Sequence, residues 1–336
     1  MNGSDSGDKE RSTSALGVLH EMLSEEIRKL RTADDWTRWL KTVAAFHHYS
    51  FRNAVLIAAQ KPDATVVGDM SMWRHLGRHV PKDEKPVRIF APIFSRSIND
   101  AGVVTRPTYH DLVDDSEAAK SGRGRRLVGF RVAHVWDVSQ TAGEPLPKLA
   151  RSGPVPGSVP VGLWDGLITC FEREGYELSA EPAGEKTPHG FTDFEARRIG
   201  LDWLGEGRAV ASLAHDVAHI MLHDPDAVVA SGDVMCHHEV REVEAESVAF
   251  ILLAHHGLQM RGRTFPLIAA WAAASVDNEE WERIVQRTGE RVLWAARELI
   301  DLTSQRGTSR GRRSTTRHLS LMAQPDMWVP LGPEAW

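Results

Sequence analysis

One stretch of this chain limits every fold it can adopt. Ser139 to Pro160, SQTAGEPLPKLARSGPVPGSVP, contains five prolines, three glycines and no periodic apolar pattern. Proline fixes φ and removes a backbone donor, so neither a helix interior nor a central strand can run through it. The stretch reads as an extended interdomain linker. A chain of 336 residues suits about two domains of roughly 100–200 residues each, and this stretch sets the boundary. The expected organisation is a disordered N-terminus at 1–14, a first domain at 15–138, the linker at 139–160, a second domain at 161–303 and an Arg/Ser-rich tail at 304–336. Residues 304–318 hold five arginines and no acid, and they cannot build a core.

Charge follows the same division. The net charge of −6 hides segments of −3 (1–35), +6 (36–138), −12 (139–303) and +3 (304–336). A cationic front half suits a polyanion partner; a strongly acidic back half repels one. Two cysteines, Cys170 and Cys236, exclude a disulfide framework and any four-cysteine zinc module. Met1 to Leu16 has no apolar segment of a secretory signal, and no run approaches the roughly 18 apolar residues of a membrane span. The expectation is a soluble cytoplasmic protein with no membrane partner.

The fold class expected is α+β, each domain a small sheet with packed helices. In the front half, helices are expected at Leu16–Leu30, from Asp35 with Trp36, Trp39, Leu40, Val43 and Phe46 at helical spacing, and at Phe51–Gln60 before Pro62. A short helix carries Met72, Trp73 and Leu76 and ends at Gly77. Strands are expected at Pro86–Pro92 and Leu127–Trp136, with the polar segment Asp111–Arg126 between them as a hairpin or loop. In the back half, helices are expected at Gly162–Glu174, Ala209–His223, Glu239–His255, Leu267–Ala274 and Asn278–Leu302, with a strand near Tyr176–Ala180.

The Ala209–His223 helix is the informative one. It reads ASLAHDVAHIMLH, placing His215 and His219 one turn apart, about 40° around the axis and about 6 Å along it. Such imidazoles can converge on one tetrahedral zinc. The hydrolytic form of this motif is H-E-x-x-H, whose glutamate is the general base; here that position is Asp216. A third ligand is expected from Glu242-Val-Glu-Ala-Glu246 on the next helix. Glu242 and Glu246 share a face, which suits one carboxylate on the metal and one orienting a histidine. Glu244 points about 160° away and ranks third. His223 and the cluster Cys236-His237-His238 are rival ligands, better suited to capping or outer-sphere roles.

These blocks resemble a known family pair. Leu213-Ala-His-Asp-Val-Ala-His-Ile-Met-Leu-His223, followed by Glu242-x-x-Ala245-Glu246-x-Val248-Ala249, resembles the ImmA/IrrE-type metallopeptidase domain. Tyr49-Ser50-x-x-Asn53-x-x-Leu56-Ile57-x-x-Gln60-x-Pro62, Trp73-x-x-Leu76-Gly77-Arg78-x-Val80-x-Lys82-x-Glu84-Lys85 and Val135-Trp-Asp-Val-Ser-Gln-Thr141 resemble the N-terminal domain of ArdC-type antirestriction proteins. The resemblance covers residues from about 15 to 303. It implies a single-stranded-DNA-binding domain joined to a zincin-like helical metallopeptidase fold, with His215, His219 and Glu242 as zinc ligands, Glu246 as an alternative or outer ligand, and Asp216 in the base position. Two departures stand out. Asp216 is one methylene shorter than glutamate, and a misplacement near 1 Å can cost about 10²-fold in rate. Asp83 also stands where the family often has glycine.

Single strands are held by a basic groove and aromatic platforms. Arg74, Arg78, Lys82 and Lys85 cluster on a helix end and turn and are the expected phosphate contacts. Tyr49 and Trp73, flanking loops, are the expected stacking rings. Two functions remain open at this point. One is a single-stranded-DNA-binding ArdC-like protein, antirestriction or regulatory, with a zinc domain of uncertain catalysis. The other is an active zinc-dependent peptidase cleaving a regulatory protein substrate.

Overall fold

The computed structural model describes residues 4–96, 125–146, 159–179, 191–201, 206–225, 238–258, 268 and 277–304. The expected 267–274 helix apart from Ile268, the tail beyond Ser304 and residues 147–158 of the linker lie outside them. Helices and small sheets mix in an α+β arrangement. The chain divides into two compact units: residues 1–151 with 265–293, and residues 152–264 with 294–336.

The first unit opens with α1 (Ser4–Lys29), α2 (Ala33–Ala45) and α3 (Phe51–Gln60); α1 starts at Ser4 rather than at Leu16. Thr32 caps α2 by accepting from the Asp35 N–H, and Asp34 and Asp35 sit against the positive end of its dipole. Its buried stripe is Trp36, Trp39, Leu40 and Val43, the i, i+3, i+4, i+7 pattern. Ser50 caps α3, which ends at Gln60 with Lys61 as its C-cap, just before Pro62.

Three strands follow: β1 (Val67–Gly68), β3 (Val87–Arg96) and β4 (Arg125–Asp137), in the order β1-β4-β3, all antiparallel. The β3–β4 ladder runs from Val87↔Val135 to Arg96↔Arg125 with a register shift at Ile93/Phe94. Val87, Ile89 and Ala91 alternate inward and pack with Phe46, Tyr49 and Ile57. Phe90, on the other face, meets the His20 ring of α1 at 4.6 Å. A short helix α4 (Met70–His75) leads through Gly77, at φ +69°, into the ribbon β2 (Arg78–His79) with β5 (Ala142–Gly143). A one-turn 3₁₀ helix, Val138–Gln140, connects β4 to β5.

Among the described residues no strand pairs with the outer edge of β3, and α3 covers it. Asn53 donates from Nδ2 to the Phe90 carbonyl and accepts the Phe90 N–H at Oδ1, each at 2.9 Å. Gln60 does the same to Arg88, at 2.8 and 3.0 Å. Two amides seven residues apart therefore stand in for a neighbouring strand.

In the second unit, α5 (Leu163–Arg173) is followed by β6 (Glu177–Leu178), β7 (Phe191–Asp193) and β8 (Arg198–Gly200). Their order is β6-β8-β7, with β6 parallel and β7 antiparallel to β8. Then come α6 (Glu206–His223) and α7 (His238–His255). The last helix, α8 (Asn278–Ser304), gives residues up to Leu293 to the first unit and from Trp294 to the second. On α7, Val240, Val243, Ala245, Val248, Ala249, Ile251, Leu252 and Leu253 are all buried, so little of this helix faces water.

Candidate metal centre

Two buried helices make the site. On α6, Leu213, Ala214, Val217, Ala218 and Ile220 are 0–1 % exposed and hold the helix in the core. That burial carries His215 and His219 out of bulk water and turns their rings towards α7. Their Nε2 atoms stand 3.0 Å apart. From α7, Glu242 places Oε2 at 3.5 Å from His215 Nε2 and Oε1 at 3.4 Å from His219 Nε2. Each of the three thus offers a ligand atom, all lying within 4.8 Å of one another. Zinc–nitrogen bonds of about 2.0–2.1 Å at a tetrahedral angle would space two nitrogens by about 3.3 Å. Two nitrogens and one carboxylate, with a further position open, form a donor set suited to zinc and to other divalent ions. The residues fit a metal.

Neighbouring groups hold these three in place. Glu246, one turn beyond Glu242, sets Oε2 3.2 Å from His215 Nδ1. His219 Nδ1 lies 3.0 Å from His223 Nδ1, and His223 Nε2 lies 2.8 Å from Glu244 Oε2. Glu244 and His223 are 1 % and 5 % exposed. Glu244, on the opposite side of α7 from Glu242, thus reaches the site through His223. His238 is exposed and stands 3.7 Å from Glu242 Oε1. Cys236 and His237 lie outside the described residues.

Histidines and carboxylates shift one another strongly here. Burial works against a charge on His215, but Glu242 and Glu246 outweigh it and push its pKa up to about 9. Burial lowers His219 to about 4, assisted by the neighbouring His215 charge. Partial burial opposes the charge of Glu242, yet His215 and His219 beside it hold its carboxyl well below the usual range.

Asp216 is 5 % exposed. Thr192 of β7 donates to its Oδ1 at 3.1 Å, and Ser212 to its Oδ2 at 3.5 Å. Burial raises it to about 7, against the lowering effects of His215 and those hydroxyls. Thr192 carries no signal of this role in the sequence. It lies on another element 24 residues away, and no local spacing announces it.

The expected nucleic-acid residues separate into two groups. Arg74, Lys82 and Lys85 are exposed. Arg78 is committed: its guanidinium donates to Thr141 Oγ1 at 2.7 Å, to the Thr141 carbonyl at 2.8 Å and to the carbonyls of Gly143 and Glu144. It clasps β2 to the segment around β5. Tyr49 and Trp73 are 3 % and 0 % exposed. The Tyr49 hydroxyl donates to the Val67 carbonyl, and Trp73 Nε1 to the carbonyls of Gly68 and Trp136, all at 3.0 Å. Contrary to expectation, neither ring offers a face to a base. The core needed two large amphipathic rings with backbone acceptors in reach, and it absorbed both.

Residues 19–135 match the family model described as the N-terminal domain of anti-restriction factor ArdC. The uncharacterized protein pXO2-81 of Bacillus anthracis is 24% identical over 293 residues, covering 81% of this chain and 49% of that protein. The chain thus spans about half the length of the curated relative it matches. The metal-free crystal structure of the antirestriction ArdC protein from the R388 plasmid aligns with a TM-score of 0.47 and 17% identity, covering 77% of this chain and 86% of the other. The Mn(II)-bound structure of that protein aligns at 0.44 and 17%, covering 77% and 90%.

Proposed function

We propose that this is an ArdC-like antirestriction protein. Its first unit binds single-stranded DNA, and its second carries a divalent-metal site of the metallopeptidase-like H-D-x-x-H type, with zinc the ion the donor set suits. The observation that carries the metal reading is the convergence of His215, His219 and Glu242 from two buried helices, with Glu246 behind His215. A bound ion would supply Lewis acidity and an activated water. His215, His219 and Glu242 would hold it, and Glu246 would keep the His215 ring turned inward. The decisive measurement is the metal content of the purified chain beside His215→Ala. Stoichiometric metal lost in the variant is expected; none in wild-type protein never exposed to chelator overturns the reading.

The DNA reading is supported by the match of residues 19–135 and by the exposed cations Arg74, Lys82 and Lys85. A gel shift of labelled single-stranded DNA at about 50 mM salt, where phosphate contacts are strong, tests it; no shift would count against it.

One observation favours a second reading, an active peptidase acting on a regulatory protein. Asp216 stands in the base position with a carboxyl held near neutrality, at about 7, which suits a group that gives and takes protons. Its shorter side chain argues the other way. Asp216→Asn should abolish proteolysis while keeping the metal; undiminished proteolysis in that variant removes Asp216 from the mechanism.

A further inference from the structure

His219 has more behind it than a ligand role requires. Its Nδ1 faces His223 Nδ1 at 3.0 Å, and His223 Nε2 faces Glu244 Oε2 at 2.8 Å. Both outer residues are almost fully buried, Glu244 at 1 % and His223 at 5 % exposed. A buried carboxylate and a third histidine, placed in sequence behind one ring, are costly to retain without a task.

The geometry points to a hydrogen-bond chain, Glu244–His223–His219, that fixes which nitrogen of His219 is bare. We infer that His223 and Glu244 are positioning residues for His219. This deepens the metal reading above and rests on it for its consequence, though not for its geometry.

The polarity follows from what each group can do. A carboxylate only accepts, so His223 Nε2 carries the hydrogen that faces Glu244. In neutral His223 the other nitrogen, Nδ1, is then an acceptor. With His223 in that neutral form, His219 Nδ1 is the donor, which leaves His219 Nε2 with a free lone pair. That is the nitrogen aimed at His215 Nε2 and Glu242. Outer partners of this kind typically set metal affinity by about 10–100-fold. The two ligand histidines have different support: Glu246 faces the outer nitrogen of His215 directly at 3.2 Å, while His219 is tied through a second ring to a more deeply buried acid. His219 is thus the preset ligand.

The test uses the full chain and two readouts. Long-range ¹H–¹⁵N spectra of the chelator-treated protein report the tautomer of each ring without any metal. The expected pattern is a protonated Nδ1 and bare Nε2 on His219, and the reverse on His223. Glu244→Leu should lose that pattern, whereas Glu244→Gln, which keeps an acceptor oxygen, should retain it. In competition with a chromogenic chelator for Zn(II), Glu244→Leu should bind about 10–100-fold more weakly, and Glu244→Gln should recover most of the difference. The inference is overturned if wild-type His219 carries its hydrogen on Nε2, or if a folded Glu244→Leu protein keeps the wild-type tautomer. Should Glu244→Leu not fold, the wild-type spectrum alone decides. A wild-type chain that shows the expected tautomers but takes up no Zn(II) sinks the metal reading and leaves the hydrogen-bond chain standing.

Discussion

Single side chains carry more of the first unit than their sequence context announces. Asp137, 1 % exposed, accepts from the backbone N–H groups of Thr65, Val66 and Ser139 at 2.7, 3.0 and 2.9 Å. Burial opposes its charge, but the three N–H donors outweigh burial and hold its pKa below the ordinary carboxylate value. A depressed carboxyl contributes stability that is present above its unfolded-state pKa and is lost as pH falls through the folded one. Asp137 therefore helps at neutral pH and fails only in acid, below about pH 4. Asp137→Ala should cost about 2 kcal/mol at pH 7, because three backbone N–H groups lose a charged partner, and the difference from wild type should shrink as the pH is lowered towards 3. Urea unfolding at the two pH values checks this; an equal cost at both would remove the charge from the explanation. In the sequence, Asp137 was visible only as one letter of a family-like block. Its role depends on Thr65 and Val66, which nothing local connects to it.

At the scale of elements, long periodic segments were legible and short paired ones were not. The Phe51–Gln60 helix and the α2 stripe follow from caps and spacing that lie within the segment itself. The strands β1, β2, β5, β7 and β8 are two or three residues long; they exist because a partner pairs with them, and so short a run has no period to read. The Asn53 and Gln60 spacing was noticed as part of a motif, and the structure supplies its reason, the closure of the β3 edge. Asn53→Leu should leave the Phe90 N–H and carbonyl buried without partners, at about 2–4 kcal/mol. Gln60→Leu should cost less, its site being only half-buried. Equilibrium unfolding of the two variants gives the order, and equal small losses would show that the edge needs no cover. In the second unit, α5 presents Gly166 to α8 so closely that an added Cβ would lie 2.8 Å from Thr303 Cα. Backbone cannot yield as a side-chain tip can, and Gly166→Ala should destabilise by about 1–3 kcal/mol.

For the metal site the relevant scale is the pair of helices seen as one titrating body. At neutral pH, His215 holds a proton, its pKa being pushed up to about 9 by Glu242 and Glu246. A metal needs the bare nitrogen and must displace that proton. Below about 9 each ion bound should release about one proton from His215, and affinity should rise about tenfold per pH unit until the ring is neutral. Calorimetry of Zn(II) binding in buffers of different ionisation enthalpy counts the protons; none released at pH 7 would show that His215 is neutral there. The pair His215/His219 was readable from its spacing, and so was a carboxylate from the next helix. The charge state of the site was not, because it depends on how deeply α6 and α7 are buried together.

Whole-molecule charge tempts one to explain nucleic-acid binding by a cationic half, and the structure narrows that argument. Once residues 265–293 are counted with the first unit, it holds 26 basic and 24 acidic residues, a net of +2; the second holds 14 and 22, a net of −8. A net of +2 is too small to steer a strand, so the proposed DNA binding needs a local patch. Of the four expected cations, Arg78 is spent on carbonyls of the β5 segment, while Arg74, Lys82 and Lys85 are exposed. Three phosphates neutralised on a single strand give a slope of log K against log[salt] of about −2, since each contributes about 0.7. Lys82→Ala and Lys85→Ala should each flatten that slope by about 0.7 and weaken binding at low salt without changing stability. Arg78→Ala should do the reverse, lowering the unfolding midpoint and leaving the slope of the folded protein unchanged. Titrations of labelled single-stranded DNA across a salt series, run beside thermal unfolding of the same variants, separate the two roles. A slope that flattens for Arg78→Ala as much as for Lys82→Ala would mean that its guanidinium leaves the β5 carbonyls to meet phosphate.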